Sequence, residues 1–555
     1  MKFVKYKFYK KLFIAGLLLA FFLIYSSQAS ADSVGDVRTF FVNSKYDEFS
    51  RSAMTATLRK LSSRAYFYVD DKYWSGLNQF EKNIFANKLD ELAREFDDII
   101  YPKEIVFFGS EPNPGIDGDP RITILLEDLI KGNGGYFETG NLYQKKLVPT
   151  SNEREMVVID IDSSGGLIKL FLAHEFQHLI SFNQKELTRN VSEDIWLNEL
   201  RSEYANTLVG YNDIFTGSNI DRRLDTFLND PTDSLTEWPN VPLDYGHAAM
   251  FSEYLAEQFG SEVISETMKL NVGGIESINQ YFRSKNSSET FSSVFGKWLA
   301  ANYFNNASFD GRLGYKRLEL SKFRVTPRQY ILPYPGNYEL VYDLEPWEGS
   351  WHQMNLYYMP PDKSVKVDFN SEAGFRLWYL DNFGSFGSLP DGGVIPNKGG
   401  LTQIVLIPVN ESKTSGFGEN ETALKFSARV DFVDAPTHPI LKDGDLIKRP
   451  KEPETYVIEG KYKRYLRPEV IALYGHLDPA KAIELDNETF NSYITSNYVR
   501  NVNQEPVYAV WPDGTKHWLN ITAQQWDASG RDWGAIFIIN DLELNYYKTG
   551  ADITR

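Results

Sequence analysis

The chain of 555 residues contains no cysteine. That absence excludes lipidation at a lipobox, and it excludes a fold stapled by disulfides. Histidine is scarce too, with seven residues in all. Basic charge is in deficit: 58 Lys and Arg stand against 75 Asp and Glu, a formal net charge of −17. Nucleic acid and anionic membrane surfaces reward basic patches, so neither is expected as the main partner. A long apolar run is missing as well. The stretch "LFIAGLLLAFFLIY" at residues 12–25 falls short of the roughly 20 residues that a spanning helix needs. It follows five lysines within residues 1–11 and precedes "SSQASA". A basic start, a short apolar segment and small residues at Ala29 and Ala31 form a signal peptide over residues 1–31, with cleavage expected after Ala31. A secreted, cell-surface or periplasmic protein with no membrane span after cleavage is expected.

What is present is the composition of a folded protein, 42% hydrophobic with many aromatics. The length calls for several cores. Residues 32–315 mix helical and strand signals. "NQFEKNIFANKLDELAREFDDII" places Phe80, Ile84, Phe85, Leu89, Leu92 and Phe96 at helical spacing, while "EIVFFG", "RITILLEDL" and "NEREMVVIDI" read as strands. Between the first two of these, "SEPNPGIDGDP" offers Asp117 and Asp119 as a possible Ca2+ grip, or as a plain acidic turn. Residues 316–436 change texture to short β-branched and aromatic runs between turn residues, the pattern of a β-sandwich. A proline-bearing linker is expected at 437–454. Residues 455–555 then repeat themselves with a period of about 54 residues, copies falling near 455–502 and 506–555. Trp511, Trp518, Trp526 and Trp533 in these copies suit either a small core or contact with polysaccharide of a cell envelope.

Two of the seven histidines lie in "LAHEFQHLIS". On a helix His174 and His178 are four residues apart and project from one face, so both imidazoles can converge on one ion. Glu175, beside the first, can take a proton from a water that zinc has acidified. A catalytic zinc needs a third protein ligand and an open position. "EDIWLNELRSEYANTLVG" follows, a second helix beginning near Glu193. Its Glu199 can return a carboxylate to the metal if the two helices run antiparallel. Glu203, one turn on, can accept from the far nitrogen of a ligand histidine and fix its tautomer. His352, His438, His476 and His517 have no second ligand at metal spacing and read as surface or packing residues.

HExxH followed by "WLNELRSEY" resembles the gluzincin metallopeptidases, and "AHEFQHLISFNQ", "DIWLNELRSEYA" and "DYGHAAMFSEYLAEQFG" together resemble the hyicolysin-type secreted neutral metallopeptidases. The resemblance covers residues 51–304. It implies an α+β, zincin-like (thermolysin-like) catalytic domain ahead of the sandwich and the two small α+β repeats. It also implies one catalytic Zn2+ on His174, His178 and Glu199, Glu175 as general base, Glu203 as the outer partner, and a protein or peptide substrate. An edge strand to receive that substrate is expected in "NEREMVVID", with "GGYF" at residues 134–137 nearby. An oxyanion donor is expected from Tyr245 or His247. The sequence departs from the family's "NEGLSEY" at Leu200 and Arg201, and Arg201 is expected to face solvent. A catalytically retired binding protein and an aminopeptidase are the alternative readings. Whether residues 33–63 are trimmed as a short pro-segment is left open.

Overall fold

The computed structural model describes residues 31–163, 166–308, 310–332, 337–397, 399–434, 441–501, 504 and 506–554. The signal-peptide reading of residues 1–31 therefore lies, but for Ala31, outside the described residues, as does His438. Among the described residues no helix is long and apolar enough to cross a membrane. The protein is multi-domain, with mixed α and β content and several sheets. By packing it divides into two units, Met1–Ser192 with Arg201–Asn219, and Glu193–Leu200 with Ile220–Arg555.

The first unit is built on a six-stranded sheet. Its strands are β1 (Val37–Phe41), β2 (Ala53–Leu61), β3 (Ala65–Asp70), β4 (Ile122–Glu127), β5 (Gly135–Tyr136) and β6 (Met156–Asp160), in the order β1-β2-β3-β4-β6-β5. β3, β4 and β6 run parallel. Their near-continuous apolar runs are those of strands covered on both faces, and β3 and β4 are buried at every residue. β1 and β2 are antiparallel additions that bury Phe40, Met54, Ala56 and Leu58. Residues 33–63 thus supply two strands of the sheet, and trimming them would strip β3 of its antiparallel partner while leaving β4.

β6 is not the edge strand that its sequence suggested. β5 pairs with it antiparallel and takes the edge instead. The reason is visible at Gly135, where a Cβ would stand 2.7 Å from the Val158 carbonyl oxygen. Only glycine lets the two backbones meet so closely.

The helices of this unit are α1 (Asp71–Gly76), α2 (Gln79–Glu95), α3 (Tyr101–Phe108), α4 (Leu167–Phe182) and α5 (Ile195–Val209), and the division between the units falls inside α5. Asn78 caps α2 in a capping box with Glu81. The helix buries Phe85, Leu89 and Leu92 as expected, whereas Phe80 and Ile84 stay exposed. "EIVFFG" is α3 and not a strand. α2 runs through a π-turn at Phe96–Ile100 directly into it, and Tyr101, Glu104 and Phe108 recur on one buried face. Helical continuity overrides the local β-propensity of Ile105, Val106 and Phe107.

In the second unit, α6 (Asn219–Asn229), α7 (Pro242–Phe259), α8 (Glu262–Thr267), α9 (Gly274–Ser284) and α10 (Phe291–Phe304) precede the sandwich. Its strands are β7 (Gln329–Ile331), β8 (Asn337–Leu344), β9 (His352–Asn355), β10 (Lys363–Phe369), β11 (Phe375–Asp381), β12 (Phe386–Leu389), β13 (Gly393–Ile395), β14 (Gln403–Asn410) and β15 (Leu424–Asp434). They form two sheets, β13-β10-β15-β8 and β12-β11-β14-β9-β7. Val365, Val367 and Phe426 of the first share one core with Leu377, Ile404 and Leu406 of the second. On the outer face, Trp378 of β11 lies where a Cβ on Gly296 of α10 would be.

The tail holds two sheets of identical design. The first comprises β16 (Leu446–Lys448), β17 (Thr455–Glu459), β18 (Tyr462–Leu466), β19 (Ile483–Glu484) and β20 (Ile494–Thr495); the second comprises β21 (Tyr498–Asn501), β22 (Val507–Val510), β23 (Thr515–Trp518), β24 (Ile536–Ile539) and β25 (Lys548–Thr549). Their orders, β19-β16-β17-β18-β20 and β24-β21-β22-β23-β25, match strand for strand, and both outer strands run parallel to their neighbours. The boundaries differ from the sequence reading. β16 lies inside the segment taken as linker, and the second copy opens at Tyr498.

Candidate metal centre

Gly166, at φ 88°, turns the chain into α4. From Leu172 to Phe182 this helix is buried all round, His174 excepted. Phe96 and Tyr101 pack on Phe176, with ring centroids 5.1 and 5.5 Å away. Glu175, Gln177 and His178 are therefore polar groups inside the protein, where each needs a partner.

The two imidazoles meet through their Nε2 atoms, 3.2 Å apart, with the rings at 79°. The outer nitrogens face oxygens. His174 Nδ1 lies 3.5 Å from Oε1 of Glu203, whose other oxygen accepts from the Asn219 amide at 2.7 Å. His178 Nδ1 lies 3.1 Å from Oγ of Ser202. One ligand atom from each of His174, His178 and Glu199 falls within 4.8 Å of the others, the one such group among the described residues.

This donor set fits zinc. Two imidazole nitrogens on a tetrahedral zinc, each at about 2.05 Å, stand about 3.3 Å apart, which matches the observed gap. A carboxylate proton acceptor at His174 Nδ1 directs that ring's lone pair to Nε2, toward the other ring, where a cation between them relieves the repulsion.

β5 passes directly over the candidate base. A Cβ on Gly135 would lie 2.9 Å from Cγ of Glu175, which is 7% exposed. Edge strand and carboxylate are thus adjacent, a juxtaposition that the sequence reading placed one strand away.

The two candidate oxyanion donors on α7 differ in setting. The half-buried Tyr245 donates its hydroxyl to Asn240 at 2.7 Å, beneath the Arg223 guanidinium. His247 is 1% exposed between Phe227 and Trp298, with Nδ1 3.1 Å from the Leu243 carbonyl, and burial holds its pKa down.

Other expectations are corrected. Arg201 is fully buried and does not face solvent; α5 is enclosed there, as Leu200, Ser202 and Glu203 are buried with it. Asp117 and Asp119 lie in an acidic turn, the plainer of their two readings. Asp119 accepts from Tyr66 at 2.6 Å and from Arg121, and Asp117 accepts from the Asp119 amide. His352 and His517 are buried packing residues. Of the four tail tryptophans Trp526 is core, while Trp511, Trp518 and Trp533 are partly exposed.

Sequence reasoning missed Ser202, Gln177 and Gly135. A small polar residue between two carboxylates on a helix looks the same in sequence whether it packs or hydrogen-bonds. The Gly134-Gly135 pair was noticed only as a neighbour of the strand it borders.

No family model matches the chain. Among solved structures, a periplasmic inhibitor of g-type lysozyme, PliG of Salmonella Typhimurium, aligns with 19% of this chain and 98% of its own at 10% identity. Its TM-score of 0.15 carries no argument. Among curated proteins, the neutral metalloprotease ShpI of Staphylococcus hyicus is 29% identical over 274 residues, covering 43% of this chain and 56% of the relative. The chain thus spans little more than half the length of a metalloprotease to which it is similar.

Proposed function

We propose that the protein is an exported zinc-dependent endopeptidase of the gluzincin type. The observation that carries this reading is the approach of the His174 and His178 Nε2 atoms to 3.2 Å within reach of Glu199. The similarity to a neutral metalloprotease supports it.

His174, His178 and Glu199 would hold the ion. Bound zinc supplies Lewis acidity, polarising a carbonyl and lowering the pKa of water to about 7. The chain's own groups do the rest. β5 offers backbone donors and acceptors along the sheet edge, so an extended peptide can add to it as a further strand. Its carbonyl carbon then lies near Glu175, which Gly135 allows to approach. Glu175 takes the proton of the attacking water and returns it to the leaving amine. Tyr245 fits the oxyanion better than His247 because its hydroxyl is on a half-exposed helix face, and one such donor lowers the barrier by about 3 kcal/mol.

The test is Glu175→Gln together with metal analysis. The variant should keep one zinc per chain and lose casein and peptide hydrolysis by about 10³-fold or more. Full activity in the variant would overturn the mechanism. The buried Leu200–Arg201 pair, where the family has a glycine, favours a second reading in which a retired peptidase only holds a metal or peptide. Hydrolysis by the wild type that a chelator stops and zinc restores would exclude it.

A further inference from the structure

The residues of β5 and just beyond it alternate between the two faces of the sheet, as a pleated strand requires. Gly135 lies over Glu175 of α4, with Ile159 of β6 beside it on that face. Two residues on, Phe137 packs against Phe182 of the same helix, ring centroids 5.9 Å apart. Tyr136 points the other way, together with its cross-strand partner Val158. A cavity of about 280 Å³ opens on this second face, lined by Tyr136, Val158, Phe41, Val42 and Val148, and by Glu138, the next residue in phase. Tyr136 is a fixed wall. Its hydroxyl accepts from the Asn43 amide at 3.1 Å and donates to Glu127 at 3.0 Å, and its ring stacks on Tyr46 at 5.1 Å. Glu138 is exposed at the rim, the one charged side chain among the described lining residues. Its carboxylate stands 3.5 Å from the Asn43 side-chain amide, the outer limit of a hydrogen bond, so a closer donor can displace that contact.

A peptide that adds to the free edge of β5 inherits the alternation. The residue opposite Gly135 turns its side chain toward α4, and the residue opposite Tyr136 turns its own toward the cavity. We propose that this cavity is a specificity site for a basic side chain, lysine or arginine, on the substrate residue that pairs with Tyr136, with Glu138 holding its charge. The aliphatic stem of such a side chain suits the walls of Phe41, Val42 and Val148, while the cation stays at the exposed rim. An acidic side chain would meet Glu138 and be rejected. One face of the strand thus serves the bond that is cut, and the other selects its neighbour.

The inference rests on the proposed peptidase reading, and its test keeps the two apart. The full-length wild type digests a peptide library of mixed sequence, and the residues flanking each cut are read by mass spectrometry. Lysine and arginine should be enriched at one position beside the cut. Glu138→Gln should lower the kcat/KM ratio of a peptide with lysine there to its glutamine counterpart by about fivefold. Glu138→Lys should invert the preference to aspartate and glutamate at that position and at no other. Cutting without a basic preference in the wild type, or the same preference in wild type and Glu138→Lys, would overturn this proposal while leaving the peptidase reading standing. So would a shift spread evenly over all positions. A wild type that cuts no peptide would overturn both.

Discussion

Two of the buried polar constellations are built to opposite plans. In the tail, Arg464 of the first copy meets Glu543 of the second, with Nη1 2.6 Å and Nη2 3.3 Å from the two carboxylate oxygens. The Tyr547 hydroxyl donates to the same carboxylate at 2.7 Å, and the Tyr474 hydroxyl donates to its other oxygen. Charge is matched by charge, and both carboxylate oxygens have donors. Around α4 the partners are arranged on the outer side of each imidazole, and the inner nitrogens are left facing one another. A buried polar group that is closed by its own neighbours serves the fold. One whose neighbours turn it toward a second donor atom has the arrangement that the proposed metal site requires.

The largest effect expected from this contrast is at the open site. Glu199→Ala should weaken zinc binding by more than the roughly 100-fold typical of an outer partner, and hydrolysis should vanish with the metal, as read by metal analysis and peptide turnover. Next is the closed site. Glu543→Ala leaves a buried guanidinium without its counter-charge and should cost about 3–5 kcal/mol. Denaturant unfolding of the full chain would show this loss with zinc uptake unchanged; a drop in zinc uptake would erase the contrast.

Gly135→Ala should have a smaller effect on stability, about 1–3 kcal/mol from crowding against Val158 and Glu175. It should lower kcat/KM about tenfold or more, because a sub-ångström displacement of the base is felt directly in turnover. The smallest effect concerns pH. Burial, first, and then the nearby Asp47 push the Glu127 carboxyl up to about 8 from an ordinary 4.5. A carboxyl raised in the folded state stabilises fully at pH below 4.5, and that contribution is lost as pH rises through about 8. The melting temperature of the wild type should therefore fall more steeply between pH 5 and 9 than that of Glu127→Gln.

The pairing of His174 and His178 on α4 was legible because helical geometry alone puts residues 174 and 178 together. β3, β4 and β6 differ in legibility: the runs of β4 and β6 announced buried strands, but neither run told which strand would lie at the edge. That depended on Gly135, a residue whose role is what it lacks. "EIVFFG" misled because its β-branched and aromatic residues are locally strand-like, while the π-turn joining it to α2 is a product of packing. β16 was hidden among prolines and charges because a three-residue strand has too little sequence to show a period. Arg201 was assigned to solvent by helical phase, an inference that fails wherever a helix is enclosed on every side.

The tail sheets have one more implication. Tyr547 of the second copy packs with Leu446, Leu466 and Val470 of the first, while Tyr462 of the first packs with Val499, Phe537 and Leu544 of the second. Each copy thus finishes the interior of its twin. Although the duplication is written as two modules, a single copy cut free would expose an aromatic socket and strand a guanidinium, so the pair behaves as one inheritable piece.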